Sequence, residues 1–467
     1  MKTLVAGNGR RRGLTLACIA TAILLLGGGA ASAQRLTHRL LPRDQIARLG
    51  LTRAWFAQVE LDSSQHHVVR AILSGDQLFV LTSAGTLHAI QALTGETMWV
   101  APLGNPNWPS LGPTASKDLV AFVNGATLYV LKRANGQPAI VRRIGGATGA
   151  APAISPTYCF VPMVTGRLEG YPMADAALPP WFYQSHGRAM TAPLVTDMSV
   201  VWTTSSGHIY VANSISPGIR YRVETDSEIV ASPSYRSPIV FVATYGGEVL
   251  ALHETTGAEL WKFAAEYPII HSPAAVGGRV FVTSLRPALF AVDGASGQHL
   301  WSAPKVAQFA AASHERVYAI DNLNALVVLD AASGALLNRM PTDGRSKALV
   351  NDQTDRFYLV SNDGKVQCLH EIGAVTPIYH NLPAETAPAQ TAPVAPAAAE
   401  PAEPAAAPTD NPFGILPAAT PAGTDDPFGG GAQPPAGGAA PGGVPANPPP
   451  GDGGNPFGDN PLGGGQR

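Results

Sequence analysis

Ala291-Val292-Asp293-Gly294-Ala295-Ser296-Gly297-Gln298-His299-Leu300-Trp301 is the stretch on which the reading of this chain turns. A β-rich run, Val280-Phe281-Val282-Thr283, precedes it, and the stretch itself reads as a strand end, a tight turn and a further strand marked by Trp. Each residue type follows from that geometry. The Asp293 carboxylate can accept hydrogen bonds from the backbone of the coming turn, and Gly297 can take the positive φ that the turn requires. Trp301 then projects from an outer strand into the space between neighbouring units, where losing a buried ring costs about 3–5 kcal/mol. These residues are expected to hold the fold together and to do no chemistry.

Working outward, the unit returns. Ala89 opens a copy with Gln91 in place of Asp, Thr94-Gly95 kept, and Trp99 at the end. Ala251 opens another with His253 in place of Asp, Thr256-Gly257 kept, and Trp261. Asp330 and Gly334 keep the turn, but Asn338 stands where Trp is expected. Aligning the strand after each Gly-type turn gives eight markers: Leu87, Leu128, Leu168, Ile209, Val249, Leu289, Leu326 and Val366. Their intervals are 41, 40, 41, 40, 40, 37 and 40 residues. A period near 40 is too long for leucine-rich repeats and suits a four-stranded propeller blade. Helical periodicity is absent over residues 55–380, and only residues 42–51 read as a short helix.

The better copies resemble the A-x-D-x-x-[TS]-G-x-x-x-W motif of PQQ-type (quinoprotein-like) β-propeller repeats. Ser272-Pro273-Ala274-Ala275-Val276 is similar to that family's entry to the innermost strand, as are Ala151-Pro152 and Ala192-Pro193. The resemblance covers residues 52–380 and implies an all-β, eight-bladed propeller of four-stranded blades. Blades around Leu128, Leu168 and Ile209 are degenerate and rest on spacing. The structural motif set is Trp55, Gly95, Trp99, Gly257, Trp261, Asp293, Gly297, Trp301, Asp330 and Gly334. Trp55 lies in Arg53-Ala54-Trp55-Phe56-Ala57, an outer-strand pattern that precedes the first complete repeat. It is expected to close the ring by completing the blade of Val366, because closure hides an open sheet edge. Residues 376–380 compete for that place without the motif residue.

The two ends are of different material. Lys2 and Arg10-Arg11-Arg12, an apolar run over 14–26 and Ala31-Ser32-Ala33 read as a secretory signal cleaved after Ala33. Residues 27–33 could extend the run into a retained anchor, and Arg11-Arg12 offers a poor twin-arginine match. Cys18 does not end the apolar run, against a lipid-modified Cys. Residues 34–51 form an N-terminal segment. Residues 381–467 hold 20 of the 42 Pro, 16 of the 49 Gly and no Lys. Such a stretch reads as disordered, since it buries too little apolar surface to offset ordering. Phe413, Phe428 and Phe457 recur there in Asx-Pro-Phe-Gly units, either docking elements or a duplicated spacer.

Composition narrows the classes. Of 467 residues only 14% are charged, against about 25% in an ordinary soluble domain. Residues 34–380 carry 26 bases and 25 acids, while residues 381–467 carry eight acids and Arg467. No block of like charge argues for nucleic acid or a membrane surface. Three Cys exclude a disulfide framework, and Cys159 and Cys368 fall in blades three positions apart.

The PQQ-type resemblance raises quinoprotein dehydrogenases, which bind PQQ and calcium over the central funnel. This sequence lacks their adjacent Cys pair, and its units are too short for their inter-blade insertions. No Cys-x-x-Cys-His or His-Glu-x-x-His occurs. His66-His67, His88, His253 and the trio Asp62, Ser64, His66 read as ordinary loop or blade residues. Asn105-Pro106-Asn107-Trp108-Pro109 reads as an exposed loop, its Trp covering a blade edge or offering a contact. The resemblance therefore points to the non-enzymatic BamB-like branch: an exported, periplasmic, monomeric scaffold for protein partners in the cell envelope, with no cofactor, no catalytic residue and no metal. A PQQ- and calcium-dependent dehydrogenase and a small-molecule-binding propeller stay open as alternatives.

Overall fold

A computed structural model of the chain describes residues 40–342, 344 and 346–380. Its strands pair into eight separate four-stranded antiparallel sheets, the blades of a β-propeller. Blade 1 runs from an innermost strand, Val68–Ser74, to an outer strand, Thr97–Pro102. Six more sequential meanders follow, ending with blade 7, Val306–Ala312 to Leu336–Pro341. Blade 8 is composite. Its three inner strands are Ser346–Ala348, Phe357–Ser361 and Lys365–Glu371, and its outer strand is Leu51–Gln58. Trp55 pairs with Cys368, so the N-terminal strand closes the ring. Residues 376–380 cross below blades 7 and 8 instead, where the Ile378 amide donates to Asp355 Oδ1 at 3.0 Å.

The eight repeat markers all occupy the second position of a third strand and are fully buried. They are apolar because second and third strands have a neighbouring blade on both faces, which removes the usual alternation. The core is accordingly distributed. Eight apolar clusters each fill the wedge between two adjacent blades, such as Phe281, Leu289 and Trp301 with Phe309, Val317 and Val327. In such a meander the first and third turns of every blade share one face of the disc. The second turns and the inter-blade connections share the other.

A short helix, Arg43–Arg48, precedes the closing strand. It is shorter than the stretch read from sequence, because Gly50 at φ +74° redirects the chain into Leu51. Ile46, Leu49 and Leu41 seal the blade 7–8 wedge, while Asp44 and Arg48 suit the helix dipole at their respective ends. The signal segment with Cys18, and the tail with Phe413, Phe428 and Phe457, lie outside the described residues. Cys159 and Cys368 are buried free thiols, their pKa values raised by burial.

Candidate functional site

The motif residues form locks between blades. Trp55, Trp99, Trp261 and Trp301 each donate an indole hydrogen bond to a turn carbonyl of the next blade: Ala92, Arg133, Gly294 and Ala331, at 2.8–3.2 Å. Each ring also lies flat on the next blade's turn glycine. A Cβ built on Gly95, Gly136, Gly297 or Gly334 would come within 2.4–2.6 Å of that ring. The carboxylates do what the turn needs. Asp293 accepts the Ser296 amide at 2.8 Å and hydroxyl at 2.7 Å, and Asp330 does the same with Ser333. These bonds hold both carboxyls below the usual range. Sequence reading missed one lock. Tyr221 stands at the Trp position of blade 4, donates its hydroxyl to the Glu254 carbonyl at 2.6 Å and covers Gly257. The offset of eight residues from Asn213 to Tyr221, equal to that from Gln91 to Trp99, was the available signal.

Five of the eight boundaries are locked in this way. At the boundary of blades 7 and 8 Asn338 replaces Trp, and its amide donates to the Arg48 carbonyl of the helix at 2.7 Å. Blade 3 is unlocked on both sides. Toward blade 2 the contact is Arg142 stacked over Tyr171 at 4.9 Å, with Arg142 Nη1 buried and without a hydrogen-bond partner. Toward blade 4, Tyr183 meets Trp202 edge-on, and the Trp202 indole bonds back to Ser185 Oγ at 2.7 Å.

Blade 3 also carries an unusual edge. Outer strands end each sheet with free backbone groups, which proteins guard with charge or proline. Arg53, Pro102, Pro138, Arg222, Lys262, Pro304 and Arg339 lie in the outer strands of the other seven blades. The outer strand of blade 3, Trp181–Gln184, has neither. Phe182 on it is 54% exposed, with the Arg167 guanidinium 4.0 Å from its ring centre. Leu178, in the preceding turn, is also exposed, as are Met198 and Ile215 on the same face of blade 4. The Ser214 carbonyl in the blade 4 turn accepts Ser155 Oγ of blade 3 at 2.7 Å, so these turns adjoin. Trp108 is 58% exposed and rests on Gly125.

The candidates for chemistry do not converge. Asp62 Oδ1 accepts the Ser64 amide and hydroxyl at 3.0 and 2.6 Å and its carbonyl accepts the His66 amide, a local turn between two strands. His253 bonds Thr255 within its own turn. His88 is buried on the third strand of blade 1, where burial lowers its pKa to about 4. Its imidazole is therefore neutral at pH 7. The unfolded chain takes up that proton near pH 6.5 and the folded chain only near 4. Stability is thus fully present above about 6.5 and is lost as the pH falls across that window, by up to about 3 kcal/mol from this residue. His271 and His380, lowered for the same main reason, act in the same direction. His88→Gln, the residue blade 8 places at that position as Gln367, should flatten the decline, as read by urea unfolding at pH 7 and pH 4.5.

The innermost strands of all eight blades surround an axial channel, with adjoining cavities of about 580 and 420 Å3. Small residues such as Gly112, Ala151, Ala192 and Ser232 dominate its wall, and Arg70, Tyr235, His271 and Asp352 are its ionisable groups. Burial lowers the pKa of Arg70 and His271 and raises that of Asp352. Among the described residues no cluster of three or more His, Cys, Asp or Glu is arranged to hold a metal ion, and no helix is long and apolar enough to cross a membrane.

Residues 196–368, from blade 4 into blade 8, match the family model described as outer membrane protein assembly factor BamB. The crystal structure of BamB from Moraxella catarrhalis is similar, with a TM-score of 0.56 and 17% identity over 68% of this chain and 97% of that one. The computationally designed Ika8 protein aligns with a TM-score of 0.53 and 16% identity, over 67% and 98%. The C-terminal WD40 domain of Sif2 aligns with a TM-score of 0.51 and 10% identity, over 69% and 99%. At these identities the structural likenesses speak to the fold. A search of curated proteins finds no significant match.

Proposed function

We propose that this BamB-like propeller, whose residues 196–368 carry the family's repeat, is an exported scaffold that joins protein partners in the cell envelope and serves outer-membrane protein assembly. The observation that carries the docking is blade 3. It alone lacks a ring lock on both sides, and its outer strand alone lacks a guarding charge or proline. An edge left unguarded suits strand addition by a partner, in which backbone hydrogen bonds supply affinity and alternate side chains supply register. Phe182 and the apolar turns of Leu178, Met198 and Ile215 would then form the side-chain part of the interface. The Asx-Pro-Phe-Gly units of Phe413, Phe428 and Phe457 would offer a second docking element.

Affinity purification from solubilised envelope tests this with three chains: full length, one ending at His380, and full-length Phe182→Glu. The glutamate restores a guarding charge and has Arg167 beside it as a partner, so the fold should survive. Barrel-assembly components are expected with the first two chains, and recovery with Phe182→Glu should fall about tenfold or more. Recovery only with the full-length chains would move docking to the tail. Absence of such components from all three would overturn the assembly role.

A further inference from the structure

Beside each ring lock, two positions fill the wedge between neighbouring blades: the outer-strand residue paired with the repeat marker, and the residue after the marker of the next blade. Between blades 5 and 6 these are Phe263 and Phe290, whose ring centroids lie 5.6 Å apart, and His299 stacks on Phe263 at 6.0 Å. The corresponding residues between blades 6 and 7 are Ala303 and Val327, with Leu336 in place of His299. Elsewhere an alanine at the first position goes with a large second residue, Tyr129 for Ala101 and His88 for Ala57. The space of two rings is thus left unfilled between blades 6 and 7. A cavity of about 430 Å3 occupies it, lined by Ala303, Val327 and Leu336 themselves.

The backbone leaves this cavity open. Lys305 alone, at φ +67°, joins blade 6 to blade 7, whereas residues 265–273 join blade 5 to blade 6. Lys305 and the second turn, Asp321 to Leu323, line the mouth, and Leu323 is 73% exposed there. The polar groups at the mouth already satisfy one another. Asp321 Oδ2 accepts Arg339 Nε at 2.7 Å, and its Oδ1 accepts the Leu323 and Ala325 amides at 2.9 and 2.7 Å. Among the described residues, no side chain lining the cavity holds a buried polar atom without a hydrogen-bond partner. Nothing inside therefore calls for a charged ligand.

We propose that the cavity between blades 6 and 7 binds a flat, uncharged aromatic molecule of two or three fused rings. Facing sheets stand about 10 Å apart, so the space between them is a slot that admits a flat ring system in contact with both walls. Its 430 Å3 is about three times the volume of a 150 Å3 cavity that holds benzene. The bound rings take the place that Phe263 and Phe290 fill one boundary earlier. The site needs no catalytic step and is separate from partner docking at blade 3.

Calorimetric titration of the full-length protein with 2-naphthol, uncharged at pH 7, tests it, and one equivalent is expected to bind. Decahydro-2-naphthol has the same skeleton with puckered, thicker rings, and should bind at least about tenfold more weakly. Ala303→Phe and Val327→Phe each restore a ring that the neighbouring boundary carries. Each should weaken 2-naphthol about tenfold or more, and neither should lower the ligand-free melting temperature, because the added ring enters a void. Equal binding of the saturated analogue, unchanged binding to both phenylalanine variants, or no binding at all would overturn the proposal. A lowered melting temperature in both variants would overturn it as well, since the space would then not be there.

Discussion

Trp301→Ala is expected to lower the unfolding free energy by about 3–5 kcal/mol. The indole is buried, fills the wedge between blades 6 and 7 beside Phe281, and donates to the Ala331 carbonyl at 3.0 Å. Removing it leaves a cavity and uncovers Gly334, so the loss exceeds that of surface area alone, while the Ala331 carbonyl keeps its second donor, Arg279 Nη1 at 2.6 Å. Two controls separate these contributions in urea titrations followed by circular dichroism. Trp301→Phe keeps a ring on Gly334 and loses the hydrogen bond, and should cost about 1–2 kcal/mol. Trp108→Ala removes a ring that is 58% exposed and should cost under about 1 kcal/mol. Equal effects of Trp301→Ala and Trp108→Ala would refute the inter-blade lock.

Gly297→Val is the complementary experiment, because it attacks the lock from the turn side. Gly297 sits at φ +73°, where a β-branched residue is strained by about 1–2 kcal/mol. Its Cβ would also lie 2.6 Å from the Trp261 ring, and overpacking adds about 1–3 kcal/mol. A total of about 2–5 kcal/mol is expected. The two costs can be told apart, since only the second needs the ring. In Trp261→Ala/Gly297→Val the clash is gone and the backbone strain remains, so the double variant should lose less than the sum of the singles. Strict additivity would mean that ring and glycine do not meet.

These two experiments also mark how far the sequence was legible. A ring and a glycine in contact across a blade boundary are separated by 33 to 40 residues, yet both types are fixed by local demands: a turn that needs positive φ and a strand that ends on a large aromatic. The eightfold period, the four-stranded blades and closure by the strand of Trp55 could therefore be read directly. Degenerate copies were harder. Tyr221 does in blade 4 what Trp does elsewhere, but a phenol in an outer strand has no distinctive local role until Gly257 of the next blade is seen beneath it. Blade 3 departs further: its turn lacks the motif glycine, its outer strand pairs without the bulge of its neighbours, and spacing alone located it.

By itself the sequence determined what repeats. Period, turn chemistry and binary pattern are short-range properties, each set within about a dozen residues, and they specify a blade wherever they recur. Only the tertiary structure decided what happens between blades. It showed that blade 3 is unlocked on both flanks and that its edge is the unguarded one. Those features depend on which ring lands on which turn and which strand falls short of its neighbour. Such contacts arise from closure of the whole ring, and no single repeat encodes them.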